Sequence, residues 1–514
     1  MKAIKYIASL LAGITLFSCD NFEDINTNPD SVTKVSPKLL ATGAIVGLMK
    51  PSKGKNFIYN QMTCKYIGWS EALEGTQYNN FGRESFSGYT SLTNYKLMAE
   101  LTDKDETMNE DKRNAYKGLA LFLKAYRLFE YTLNVGDIPY EGILEGKEGN
   151  LTVAYNTQED VFKFLLNDLD KAHEYFQNAN QTTFDGDPIF GGKVEQWHRV
   201  SNALELRVLI NLSKKINSTD INIKSKFNEV LDRNLLLRSN ADNLQITFST
   251  KEGQLYPFNE SLHSYKQYVM ISGLVIDALK ANEDYRLFYY ANPSEGKLNS
   301  GSQENDWDAY IGIDPSDPID ELKLIADQTK EFCQFNNRYT SYELGEPYIR
   351  IGYAEQNFIL AEAALRTWIT GDAAEYYKKG IEASMKFVAD NTPDAQKYHH
   401  GRKMTSDIIA QTLAKPGIQL NGTFEEDLKK IITQKYIAGI PDLAQEGWND
   451  KRRLNLPRLD VAVYRDQAVY NNNDKDILKS ANFIKRMRYP TKESLINATE
   501  YEKGKSMLGG KGDI

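Results

Sequence analysis

The chain has 514 residues with 62 basic and 70 acidic side chains, a net charge of −8 and a mean hydropathy of −0.53. That balance excludes a polytopic membrane protein, and the acidic excess excludes the basic footprint that nucleic-acid binding requires. Three cysteines (Cys19, Cys64, Cys333), with no two at CxxC spacing, exclude a disulfide framework and a structural zinc site.

From the N-terminus, Lys2 and Lys5 precede an apolar run from Tyr6 to Phe17, which then meets Leu16-Phe17-Ser18-Cys19. Twelve apolar residues are too few to span a bilayer, so the run reads as a signal peptide over residues 1–18. Leu-x-Ser before a cysteine resembles a bacterial lipobox, which implies acylation of Cys19 as the first mature residue. Several acyl chains, each adding ~0.8 kcal/mol per buried CH₂, anchor a protein stably. The acidic stretch Asp20 to Asp24 resembles the signal that sends lipoproteins to the outer face of the outer membrane. Residues 19–35, with Asn26-Thr27-Asn28-Pro29, read as an extended tether. Residues 36–514 form the folded domain.

Within that domain the dominant period is helical. Apolar stripes at steps of three and four run through Ala115–Leu133, Val161–Phe176, Trp197–Ile216, Ala354–Trp368 and Tyr377–Val388, and Phe424 to Ile437 supplies another helix. Gly371-Asp372 gives a glycine stop followed by an N-cap, so the helices on either side form an antiparallel hairpin. Small residues followed four later by aromatics (Ala125/Phe129, Ala354/Phe358) suggest degenerate tetratricopeptide-like helix pairs. Trp69 continues the Ile58, Met62 stripe of an earlier helix. Leu244 to Phe248 is the one clean strand. Long loop-rich stretches fall near 75–95, 238–265, 291–348 and 455–480.

Catalytic signatures are absent from the sequence: no GxSxG, HExxH or GxGxxG occurs. Gly186 to Lys193 departs from a phosphate loop at Asp187 and Val194, and the Ser52–Lys55 SxxK lacks companion motifs. His399 and His400 are chain neighbours and do not share a helix face. Asp314, Asp317, Asp320 and Glu321 lack the register of a calcium loop and read as a solvated turn. No cofactor and no metal are expected.

Several segments together resemble the SusD/RagB-like nutrient-binding outer-membrane lipoproteins, SusD-like subgroup. They are Leu39 to Ile45, Val135-Gly136-Asp137-Ile138-Pro139-Tyr140, Phe190-Gly191-Gly192-Lys193 with Trp197 and Asn202 to Arg207, and Phe358 to Ala364. Toward the C-terminus they continue with Ile432 to Ala438, Gly447 to Arg453 and Arg488 to Glu493. Glu205 departs from the pattern, where lysine is commoner. The resemblance implies a mostly α-helical SusD-like fold and a non-catalytic role. It implies a surface lipoprotein that captures oligosaccharides, or peptides, for a SusC-like TonB-dependent outer-membrane barrel. A surface glycoside hydrolase and a ligand-free scaffold of helix pairs remain as alternatives. The family motifs themselves read as structure: Gly136–Tyr140 as a helix-ending turn, Trp197, Trp368 and Trp448 as core, Arg452 and Arg453 as buried ion pairs.

The ligand contacts are expected on loops. Residues 76–95 carry Tyr78, Phe81, Phe86, Tyr89 and Tyr95 among Asn79, Asn80 and Arg83, with no period that buries them. A second candidate is Trp307 with Tyr310, beside Asn305 and Asp306. Sugar faces stack on such rings, and amides and guanidinium bond hydroxyls.

Overall fold

The computed structural model describes residues 35–78, 82–146, 149, 152–179, 182–456 and 486–507. Cys19, the signal peptide, almost all of the tether, Asn79, Asn80, Phe81 and the stretch 457–480 lie outside the described residues.

Seven helices open the described chain, and all but the second pack as neighbours. These are α1 (Pro37–Met49), α2 (Lys55–Thr63), α3 (Tyr89–Lys104), α4 (Glu110–Val135), α5 (Gln158–Asn178), α6 (Val194–Asn211) and α7 (Ile223–Asp232). Their ends follow local chemistry. Ser36 caps α1 with Pro37 at its first position, and Asn109 accepts from Lys112 N at 2.9 Å to start α4. Gly136, at φ +92, stops α4 in a conformation that favours glycine. The 135–140 segment is indeed a helix-ending turn. It is pinned by Tyr489, whose hydroxyl donates to Asp137 O at 2.6 Å, and by Tyr140, whose hydroxyl donates to Asp168 at 2.5 Å.

The second half adds α8 (Gly273–Lys280), α9 (Tyr353–Leu365), α10 (Ala373–Asp390), α11 (Ser406–Ala414), α12 (Phe424–Ala438), α13 (Ala444–Leu454) and α14 (Ala498–Met507). Asp372 accepts from Ala374 N at 2.8 Å to cap α10, so the α9–α10 hairpin forms as its Gly-Asp signal requires. Among the described residues, four short strands pair antiparallel in twos: β1 (Ile67–Trp69) with β3 (Val269–Ile271), and β2 (Leu244–Ile246) with β4 (Tyr348–Ile351). The fold is mostly helical, as expected.

Two main cores result, one under α1 and α3–α7 and one around α2, α8, α10 and α12. Helix α9 serves both: Ile359, Leu360 and Ala363 face the first and Phe358 and Ala361 the second. A helix buried all round needs no polar face. Charges buried between the cores are paired. Arg207 of α6 bonds Glu355 of α9, and Arg453 of α13 bonds Glu362 and, at 2.7 Å, Asp450. Trp197, Trp448 and Trp368 are buried, as read from sequence. Arg453 is the buried ion pair expected. Arg452 is half-buried, its guanidinium lies 3.7 Å from the Trp448 ring centroid, and it donates to Leu133 O.

Some boundaries differ from expectation. Helix α6 ends at Asn211, short of Ile216, and α9 ends at Leu365, short of Trp368. Trp69 is fully buried with Ile58 and Met62 but lies in β1, because Lys65 turns the chain at φ +64 after α2.

Candidate ligand-binding cleft

The β1–β3 pair leads into the principal cleft, a hollow of about 740 Å³ whose lining includes Ser70 and Glu71 directly after β1 and Gln267 and Tyr268 directly before β3. Val269, Met270 and Ile271 bury their side chains, and Ile271 N donates to Cys333 O at 2.8 Å, which brings residues 332–334 alongside. Trp69 packs against Tyr268, with ring centroids 5.4 Å apart. Tyr268, half-buried, turns toward the cleft.

Ser70 and Glu71, directly after β1, form one lip. Ser70 N donates to Tyr268 O at 3.0 Å, so the lip is an extension of the strand pair. The opposite lip comes from the helix Ile319–Leu324 and the π turn Ile325–Thr329 that continues it. Lys323, Ala326, Asp327 and Lys330 share the face turned to the cleft. π turns of this kind recur at functional sites. Lys330 pairs with Glu295 at 2.6 Å. At the back, Asn292 N donates to Gln334 O at 2.9 Å. Carboxylates, ammonium groups, amides and one tyrosine face a half-open space of the size small-ligand sites have.

Ser294 connects this wall to a second feature. Its N–H donates to Ala309 O at 2.8 Å and its hydroxyl to Lys330 O at 2.9 Å. Ala309 ends the 3₁₀ turn Trp307–Ala309. Trp307 is half-buried, 4.7 Å from the Phe288 ring and 6.0 Å from Tyr285. The Arg402 guanidinium lies about 6 Å from the Trp307 and Tyr285 rings. It donates to Asn305 O at 3.0 and 2.8 Å and to the Tyr285 hydroxyl at 3.3 Å. Two partly exposed rings and a guanidinium thus form a fixed platform.

Of the residues expected at the site, Trp307 lies on this platform, outside the cleft lining. Tyr310 does not: it is fully buried, packs on Phe288 at 5.0 Å and donates its hydroxyl to Glu304 O at 2.9 Å. It is a core residue supporting the turn. Tyr78 is half-buried, with its hydroxyl donating to Asp317 O at 2.8 Å, and lies outside the cleft lining. Arg83 is exposed and donates to Tyr489 O at 2.8 Å, which ties it to the first core, outside the cleft lining.

The stretch 76–95 is not one open loop. Phe86 and Tyr95 are buried, and Tyr89 opens α3, stacked on Tyr131 with centroids 5.2 Å apart. Leu92, Tyr95, Met98 and Thr102 supply the buried stripe of that helix.

The cleft residues Ser70, Glu71, Tyr268, Lys323 and Lys330 carried no motif. The readable signal was the spacing of Lys323, Asp327 and Lys330, which sets three charges on one helical face within a stretch otherwise rich in turns. Asp314 accepts from Ser316 N at 2.9 Å, as a turn residue does, and His399 and His400 face different partners, Asp394 and Asn336.

The family model described as starch-binding and associating with the outer membrane matches residues 29–490. The chain belongs to the SusD-like family. A SusD homologue from Bacteroides fragilis is 42% identical, with a TM-score of 0.85 over 93% of this chain and 97% of its own. An outer-membrane protein from Bacteroides vulgatus, described as involved in nutrient binding, is 26% identical (TM-score 0.79, 93% and 97% covered). A chitin-binding SusD homologue from Flavobacterium johnsoniae, 20% identical, shares the fold (TM-score 0.65, 91% and 96% covered). No curated protein matches the chain.

Proposed function

We propose that this SusD-like protein is an outer-membrane lipoprotein, anchored through Cys19 and facing the cell exterior. It captures oligosaccharides, or peptides, and delivers them to a TonB-dependent barrel. The division into a signal at 1–18, a tether at 19–35 and a binding domain at 36–514 belongs to this reading. The observation that carries it is the cleft of about 740 Å³, lined by amides, paired charges and Tyr268 and joined through Ser294 to the Trp307 platform. Chitin binding by a relative of the same fold supports a glycan as ligand.

Capture is expected to be weak. If a stacked sugar face contributes about 1 kcal/mol, the value for aromatic pairs, Trp307 and Tyr285 together give about 2 kcal/mol. A millimolar complex needs about 4 kcal/mol, so hydrogen bonds from the cleft supply the rest. Calorimetry with maltoheptaose, N-acetylchitohexaose and a peptide panel tests this. Trp307→Ala should weaken binding about fivefold to tenfold and Tyr310→Phe should leave it unchanged. Wild-type affinity in Trp307→Ala would remove the platform from the site. Incubation with the same oligosaccharides should yield no cleavage products, and their appearance would favour the glycosidase alternative.

Cys19→Ala should release the folded protein from membranes, since no described helix is long and apolar enough to cross one. A variant that still pellets after a high-salt wash would sink the anchor. Mild detergent extraction should co-purify a barrel, held by an interface of about 1,200–2,000 Å² or more.

A further inference from the structure

Beneath the first lip lies a buried lysine. Lys65 follows α2 at φ +64, its side chain is inaccessible to solvent, and it forms no ion pair among the described residues. Its Nζ donates to the carbonyl of Gln77 and, at 3.5 Å, to that of Thr76. An ammonium buried on carbonyls alone is costly, and such groups concentrate where a function retains them.

The 3₁₀ turn Thr76–Tyr78 that it holds is itself a clasp between the lips. The Gln77 side chain accepts from Trp69 N at 2.8 Å, one residue before Ser70. It also donates to Pro315 O at 3.0 Å, and the Tyr78 hydroxyl donates to Asp317 O at 2.8 Å. Residues 315–317 lead directly into the helix that carries Lys323. Gly68 closes the same junction, since a Cβ there would meet the Ile313 side chain at 2.8 Å. One turn therefore sets the spacing of Ser70 and Glu71 against Lys323 and Asp327.

We propose that Lys65 is a positioning residue for ligand capture: its Nζ holds the Thr76–Tyr78 turn, and the turn holds both lips of the cleft at one spacing. The inference rests on the cleft being the capture site. Burial brings the Lys65 ammonium down to about 7, against smaller upward pulls from Cys64 and Asp314. The protonated form makes charge-assisted bonds to the two carbonyls, and the neutral amine holds them less firmly. The other titratable groups around it are Cys64 and Tyr66 beside it in the chain, Tyr78 on the turn, and Asp314 on the facing loop. Burial pushes the Cys64 thiol and the Tyr66 and Tyr78 phenols up, so those three stay neutral through pH 8.5. Among the described residues, no histidine lines the cleft. The clasp accordingly tightens below neutrality and loosens above it.

The test measures two quantities between pH 6 and pH 8.5, in wild type and in Lys65→Met. One is the affinity for N-acetylchitohexaose and maltoheptaose; the other is amide-exchange protection at Trp69, Gln77 and Tyr78 without ligand. Wild type should lose protection at those amides and bind at least threefold more weakly at the higher pH. Lys65→Met should show the loosened values at both. Protection that does not change with pH in wild type overturns the inference whether or not the variant folds. Protection that changes while neither oligosaccharide binds at any pH supports the clasp and sinks the glycan reading.

Discussion

Glu205, the residue that departs from the family pattern, sits fully buried in α6 with Arg233 2.6 Å away. Burial outweighs the guanidinium and pushes its carboxyl up to about 7. The folded chain therefore holds a proton there that the unfolded chain releases near 4.5. Its contribution to stability is complete below about pH 4.5 and is lost as pH rises to 7, roughly 3 kcal/mol in all. His173 and His198, hydrogen-bonded at 2.6 Å, act in the opposite sense. Burial holds them down to about 4 and about 3, so their neutral pair favours folding above about 6.5, and that contribution is lost as pH falls through 4. Glu205→Gln removes the one downward contribution of the three, so melting temperature should rise more steeply between pH 5 and pH 8 than in wild type, while Arg233 keeps Asp170 at 2.9 Å. Thermal melts across that range decide it: slopes identical to wild type would place the pH dependence elsewhere.

Helix pairs in this fold close on one device used twice. Gly118 of α4 lies under Phe176 of α5, and Gly380 of α10 under Phe358 of α9. In each case a Cβ would come within 2.8 Å of the ring. Helix propensity alone favours alanine over glycine by about 1 kcal/mol. Overpacking costs about 1–3 kcal/mol and wins, so Gly380→Ala should lower stability in denaturant melts despite its better propensity. A stabilised variant would mean that the Phe358 ring can move aside. The same elements show what the sequence made legible. Helices with one apolar stripe, such as α4, α5 and α10, stand out because each has a wet face. Helix α3 escaped because its first turn overlaps a glycine- and serine-rich entry, although Leu92, Tyr95 and Met98 carry the spacing. The strand β1 was hidden because Ile67 to Trp69 is buried on both faces and too short to alternate. The cleft escaped because its lips come from residues about 250 apart, joined by hydrogen bonds of Gln77, Tyr78 and Ser294 that leave no pattern in the chain.

Across the whole molecule, buried ion pairs accompany the apolar contacts of α9 where the two cores meet. Arg207 of the first contacts Glu355 on the shared helix α9 and, at 3.8 Å, Glu446 of α13. Lys435 meets Asp450 at 2.9 Å on the far side of the same junction. Breaking a buried pair by removing one partner costs about 3–5 kcal/mol because it strands the other charge. Arg207→Met should therefore destabilise the protein by about that much. The two cores should still unfold in one transition, since α9 belongs to both. Two separated calorimetric peaks in the variant would show that the ion pairs, and not α9, hold the cores together. The cleft borders the second core, and this junction fixes its orientation relative to α1.

Of the five tryptophans, Trp69, Trp197, Trp368 and Trp448 are at most 5% exposed, and Trp307 alone reaches solvent. The protein thus carries its own optical reporter at the platform. Acrylamide or iodide should quench one red-shifted component of the intrinsic fluorescence, and Trp307→Phe should abolish that component while sparing the blue emission of the other four. A sugar that shields the Trp307 ring would protect the quenchable component in proportion to occupancy, so weak ligands can be ranked in solution without labelling either partner.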